Sequence, residues 1–125
     1  MSQKNWHILV VEDDPDGQEV VSTILEHLNL AIDVATNVAE AEKLLFHSHN
    51  KYHAAILDLA LPDKNGWDLL AEILDHPETA AMPCIAVTAY HTSKLREDAI
   101  KAGFTAYFAK PIDATAFARR LEELL

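Results

Sequence analysis

The stretch Ile8-Leu9-Val10-Val11-Glu12-Asp13-Asp14 decides how the rest of this chain reads: four apolar residues in a row that break onto three carboxylates. Four more apolar runs follow, at Ala31 to Ala35, Ala54 to Leu57, Cys84 to Val87 and Ala106 to Ala109. Between the runs lie stripes at three-to-four spacing. The first is Val20, Val21, Ile24, Leu25 and Leu28, the second Ala41, Leu44 and Leu45, the third Trp67, Leu70, Ile73 and Leu74. A weaker stripe of Leu95, Ala99 and Ala102 and a last one of Phe117, Leu121 and Leu124 complete the pattern. Short apolar runs mark buried strands and 3.6-residue periods mark helices. Strict alternation of the two predicts a parallel sheet covered by helices on both faces. Four runs are apolar at every residue, as strands buried on both faces are. The second alternates Ile32 and Val34 with Asp33 and reads as an edge strand. The expected architecture is α/β: a doubly wound, five-stranded parallel sheet flanked by five helices, one domain over residues 1–125.

Local punctuation agrees. Asp16-x-x-Glu19 and Asn37-x-x-Glu40 have capping-box form, in which the first side chain accepts an orphan N–H and the glutamate reaches back. Asp14 stands at the same helix start, and Asp113 precedes the last helix as an N-cap. Pro62, Pro77, Pro83 and Pro111 fall in connections or at run starts. A chain of 125 residues is too short for two ordinary domains and long enough to need no disulfide or metal staple.

Composition removes several functions. Twenty Asp plus Glu against ten Lys plus Arg leave a formal charge of −10, a field that repels phosphate backbones and anionic lipid. Direct nucleic-acid and membrane binding are therefore not expected. The one cysteine, Cys84, lies in an apolar run and reads as a buried, inert thiol. No apolar stretch approaches the roughly twenty residues that span a bilayer, and none forms a signal-peptide core, so a cytoplasmic location is expected. The three glycines, Gly17, Gly66 and Gly103, are scattered, which excludes a dinucleotide fingerprint or a P-loop.

The polar residues that follow the runs carry the chemistry. Glu12, Asp13 and Asp14 follow the first, Asp58 the third, Thr88 the fourth and Lys110 the fifth. In a parallel sheet these are the carboxyl ends of the strands, the edge where open α/β sheets bind ligands. Glu12, Asp13 and Asp58 crowd three negative charges that need a cation. An oxygen-only set without sulfur or histidine suits Mg²⁺, with Mn²⁺ as the substitute. A carboxylate beside such a cation and a lysine is a workable nucleophile towards phosphorus, with Thr88 and backbone N–H groups to spread the transferring charge.

Val10-Val11-Glu12-Asp13-Asp14, Leu57-Asp58-Leu59-Ala60-Leu61-Pro62, Asn65-Gly66, Val87-Thr88-Ala89 and Ala109-Lys110-Pro111, in this order and spacing, resemble the motifs of response-regulator receiver domains of two-component systems. The resemblance covers essentially the whole chain. It implies the flavodoxin-like strand order 2-1-3-4-5 and a phosphoacceptor role for Asp58, with a histidine kinase, a phosphotransfer protein or a small phosphodonor as the source. It further implies a metal site from Glu12, Asp13, Asp58 and the Ala60 backbone carbonyl, and phosphoryl contacts from Thr88, the Ala89 N–H and Lys110. The Lys110-Pro111 bond is expected to be cis, and Tyr107 falls where receivers place a switch aromatic. Phosphorylation would draw Thr88 towards the phosphoryl oxygen and Tyr107 into the space vacated, reshaping the face of helix 4, strand 5 and helix 5 for a downstream protein. Small Ala60 admits hydrolytic water and bulky Tyr90 hinders it; the two oppose, and the lifetime of the mark stays open.

Plain readings compete at several positions. Tyr107 lies in an apolar strand and also fits a core role. His47, His49 and His53 lie close enough to suggest a transition-metal site, but they straddle a helix end and a loop and read as solvated. His91, beside Tyr90, is given no role, and nothing specifies a partner for Trp6. A phosphohydrolase of the haloacid-dehalogenase type shares the aspartate, threonine and lysine but needs a second aspartate where this chain has Ala60. A degenerate receiver acting only as a protein scaffold commonly lacks one of the acids or the lysine, all present here. The expected function is a phosphorylation-dependent signalling switch, not an enzyme acting on an external substrate. With no segment after Leu125 and a start at Met1, it reads as a stand-alone or N-terminal receiver.

Overall fold

Ten elements alternate through the chain in this computed structural model, which describes residues 6–48, 51–60 and 65–125. They are β1 (His7–Val11), α1 (Pro15–His27), β2 (Ala31–Ala35), α2 (Val38–Phe46), β3 (Ala54–Asp58), α3 (Gly66–Asp75), β4 (Cys84–Thr88), α4 (Ser93–Ala102), β5 (Ala106–Ala109) and α5 (Ala114–Leu124). The five strands form one parallel sheet in the order β2-β1-β3-β4-β5, the flavodoxin-like order expected.

Side-chain alternation along the strands splits the core in two. Leu9, Val11, Ala55, Leu57, Ala86 and Tyr107 face α2, α3 and α4. Ile8, Val10, Ile56, Ile85, Val87 and Ala106 face α1 and α5. Phe117 of α5 is fully buried, its ring edge-on to Phe108 at a centroid distance of 5.0 Å. Trp6 packs, half-buried, on the α1 and α5 side. Cys84 is buried as expected, and burial pushes its thiol up to about 12.

The sheet departs from the sequence reading at its far edge. β5 was expected to be covered on both faces, yet Phe108 and Ala109 are only half-buried. β5 has one ladder partner, β4, and apolar content alone does not distinguish an edge from a centre. β2 is the edge anticipated. Its Asp33 carboxylate meets His7 Nε2 at 2.9 Å and accepts the Tyr52 hydroxyl at 2.6 Å.

Helix starts follow their caps, with one correction. Asn37 accepts the Glu40 N–H at 2.8 Å, and Glu40 returns to the Thr36 N–H at 2.6 Å. Asp113 accepts the Ala116 N–H at 3.0 Å. For α1, however, the cap is Asp14, which accepts the Asp16 N–H at 3.4 Å, not Asp16 itself. Pro15 explains the shift: its fixed φ and missing N–H suit the first helical position, so the cap falls one residue earlier. In α3 the buried face is Gly66, Leu69, Leu70 and Ile73, while Leu74, counted in the stripe, is exposed. Val20 of α1 and Ala102 of α4 are likewise exposed.

Candidate functional site

The parallel ladder runs one residue beyond the strand ends. Glu12 N–H donates to Ala35 O at 3.0 Å, Leu59 N–H to Val87 O at 3.0 Å and Lys110 N–H to Thr88 O at 2.8 Å. These bonds fix Glu12, Asp58, Thr88 and Lys110 on the carboxyl edge of the sheet. Asp58 and Thr88, read from the sequence as following their runs, are the last residues of β3 and β4. Glu12, Asp58 and Thr88 are all buried.

Lys110 reaches across this edge to both acids. Its Nζ donates to Glu12 Oε1, and to Asp58 Oδ2 at 3.0 Å. Asp58 Oδ1 accepts the Ala60 N–H at 2.9 Å. Gln18 Nε2 donates to the Glu12 backbone oxygen at 2.7 Å, tying α1 to the strand end. Among the described residues no buried side-chain nitrogen or oxygen lacks a partner. The Lys110-Pro111 peptide is cis.

These contacts set three protonation states apart. Burial pushes Glu12 up to about 7, aided by the hydrogen bond and charge of Asp58 and opposed by Lys110. Burial works against ionised Asp58 too, but the bonds to Glu12, to the Ala60 N–H and to Lys110 prevail and hold it below the usual carboxylate range. Lys110, despite burial, is held above its ordinary value by Glu12 and Asp58. The site therefore keeps an ionised aspartate against a charged lysine, with glutamate as the group that takes the spare proton.

Glu12, Asp13 and Asp58 offer carboxylate oxygens that all lie within 4.8 Å of one another, with Asp13 exposed and the other two buried. An all-oxygen trio with one solvent-facing member fits a hard divalent cation that retains water. Of the other residues read from the sequence, Ala60 touches the trio through its N–H to Asp58. Thr88 Oγ1 accepts the Tyr90 N–H at 3.0 Å, while Ala60, Ala89 and Tyr90 are exposed, Tyr90 by 74 %. Tyr107 is 8 % exposed and packs in the core cluster that faces α2, α3 and α4, as its core reading expects. Leu61 and Pro62 of the second motif lie outside the described residues, as does His49. His47 is an exposed cap of α2, and His53 Nδ1 accepts the His7 N–H at 3.0 Å.

Three features escaped the sequence. Glu12 pairs directly with Lys110 although β1 and β5 are not neighbours in the sheet, a contact only the strand order reveals. His91 Nδ1 lies 3.0 Å from the Tyr107 hydroxyl. Two of the three glycines press on the acids: a Cβ at Gly17 would collide with the Glu12 side chain, and one at Gly66 with the Asp58 carbonyl oxygen at 2.5 Å.

Comparison with known proteins agrees with this geometry. Residues 8–122 match the model of the response regulator receiver domain. An uncharacterised 14.6 kDa protein of Leptolyngbya boryana is 34% identical over 116 residues, 93% of this chain and 87% of that protein. The response regulator protein PilR of Pseudomonas aeruginosa is 35% identical over 94% of this chain, which spans only 24% of PilR's length. The receiver domain of sensor histidine kinase PA1611 from Pseudomonas aeruginosa PAO1 superposes with a TM-score of 0.84 at 28% identity, covering 97% of this chain and 98% of that one. That structure has a magnesium ion coordinated in its active-site cleft. Among the described residues no helix is long and apolar enough to cross a membrane. With a match reaching from the first strand into the last helix, the chain belongs to the response regulator receiver domain family.

Proposed function

We propose that this chain is a phosphorylation-dependent switch of the cytoplasm, its 125 residues forming one receiver unit, with Asp58 as the phosphoacceptor. The observation that carries the reading is the Asp58 carboxylate, buried, kept ionised and held 3.0 Å from Lys110 Nζ on the ligand-binding edge of the sheet. An Asp58 oxygen attacks the phosphorus of a phosphohistidine or an acyl phosphate. The new O–P bond forms as the P–N or P–O bond breaks, and the leaving imidazole or carboxylate departs with the electron pair. Lys110, the Thr88 hydroxyl and the Ala89 N–H offset the charge of the phosphoryl oxygens. Glu12, Asp13, Asp58 and the Ala60 carbonyl are the groups that would hold Mg²⁺ or Mn²⁺, which supplies charge neutralisation when bound. The chemistry is directed at the protein's own side chain, so the chain is an acceptor with self-dephosphorylation, not an enzyme in the ordinary sense.

A histidine kinase or phosphotransfer protein is the proposed donor, and the face of α4, β5 and α5 the proposed contact for a downstream protein. Charge distribution supports that face. Residues 1–92 carry fifteen acidic against four basic side chains, whereas residues 93–125 carry six basic against five acidic. The groove there, about 370 Å³, is lined by Arg96, Ile100, Tyr107, Phe108, Arg119 and Arg120 among others. Tyr107, packed in the core that faces α2, α3 and α4, also lines this groove.

The test is intact mass after incubation with acetyl phosphate, with and without Mg²⁺, on wild type and Asp58→Asn. A Mg²⁺-dependent gain of one phosphoryl group, absent from the variant, is expected. A folded wild type that binds neither a phosphoryl group nor beryllofluoride would instead support the scaffold reading.

A further inference from the structure

The loop between β4 and α4 carries a side chain that the phosphoacceptor chemistry does not use. His91 is exposed, yet its Nδ1 sits 3.0 Å from the Tyr107 hydroxyl, and the two rings lie 5.5 Å apart at 50°. The Tyr107 ring itself is buried among the residues facing α2, α3 and α4. A phenol in such surroundings needs a hydrogen-bond partner, and His91 supplies one. In the tautomer protonated at Nε2, the phenol O–H donates to Nδ1.

The state of Thr88 gives this contact its meaning. Its Oγ1 accepts the N–H of Tyr90, one residue before His91, so it is engaged with its own loop. The Tyr107 ring is nevertheless buried, 8 % exposed, while Thr88 stays bonded to its own loop. We propose that His91 is a positioning residue that holds Tyr107 in its buried rotamer before a phosphoryl group arrives, so that this switch is set partly in advance. The inference rests on the reading of Asp58 as phosphoacceptor and of Tyr107 as the switch aromatic. Its energetic content is a population: a ligand that binds the buried-ring state better has its intrinsic Kd divided by the fraction of molecules already there. One neutral hydrogen bond changes that fraction by at most roughly two- to tenfold.

The experiment titrates beryllofluoride, with Mg²⁺ present, into wild type, His91→Phe, Tyr107→Phe and the double variant, each with ¹³C-labelled tyrosine rings followed by NMR. Phenylalanine at the exposed position 91 keeps a ring against Tyr107 and removes only the hydrogen bond. In free wild type the Tyr107 ring signal is expected near its beryllofluoride-bound position. In His91→Phe it should move away, with apparent affinity weakened roughly two- to tenfold. On the Tyr107→Phe background, which has no hydroxyl to hold, His91→Phe should change nothing. Unchanged or tighter binding in His91→Phe, or the same weakening on both backgrounds, overturns the role given to His91. Failure of wild type to bind beryllofluoride overturns the phosphoacceptor reading, and this inference with it.

Discussion

Replacing Gly66 by alanine sets two opposed effects against each other at the phosphoacceptor. Gly66 opens α3, where alanine is the better helix former by about 0.5–1 kcal/mol. An alanine Cβ there would lie 2.5 Å from the Asp58 carbonyl oxygen, 3.1 Å from Leu59 Cα and 3.3 Å from the Asp58 carbonyl carbon. All three are backbone atoms at the end of a central strand, and they cannot rotate aside as a side chain would. Relief must come from shifting α3 or the end of β3, and overpacking of this kind costs about 1–3 kcal/mol. The clash outweighs the propensity gain, so Gly66→Ala is expected to lose about 1–2 kcal/mol of stability, or about 3–8 °C in Tm. Urea denaturation at equilibrium measures it, with Ala71→Gly at an exposed position of the same helix as the propensity control. The displaced strand end carries Asp58 away from Lys110, so phosphorylation by acetyl phosphate should slow as well. A Gly66→Ala protein more stable than wild type and equally fast to phosphorylate would refute the close approach.

Two further outcomes follow from the packing and the charges. Glu12 holds a proton in the folded state up to about pH 7 that the unfolded chain releases near 4.5, so its contribution to stability falls as the pH rises through that window. Cation binding needs the ionised carboxylates, so Mg²⁺ should raise Tm more at about pH 8 than at about pH 5.5; equal rises in thermal melts would count against the assigned site. Phe117→Ala, at a fully buried ring, should cost about 3–5 kcal/mol, whereas Val20→Ala on the exposed side of α1 should stay within about 0.5 kcal/mol by denaturant titration.

The fold was legible because its strands are short apolar runs and its helices carry periodic stripes, both local signals. Where the reading slipped, the deciding partner was distant. Phe108 and Ala109 look like any central strand until the sheet order leaves β5 with one neighbour. Leu69, buried, and Leu74, exposed, exchange roles because the rotation of α3 about its axis is set by the sheet beneath it. At the site, Asp58, Thr88 and Lys110 were found from their places after apolar runs. The bond between Lys110 and Glu12 was not, because its ends stand 98 residues apart in the chain and on strands separated by two others. Neither was the contact of His91 with Tyr107, since loop conformation leaves no period to read.

The trio of His7, Asp33 and Tyr52 has a consequence away from signalling. The outer edge of β2 offers backbone N–H and C=O groups to any passing strand, and Ala31, Ile32, Val34 and Ala35 are residues that such a strand would accept. In their midst stands a carboxylate, held in place by an imidazole and a phenol. A second chain adding to this edge would have to strip water from that charge, at a cost no ladder bond recovers in full. A charged residue in the middle of the edge strand thus disfavours the addition of a further strand to the sheet.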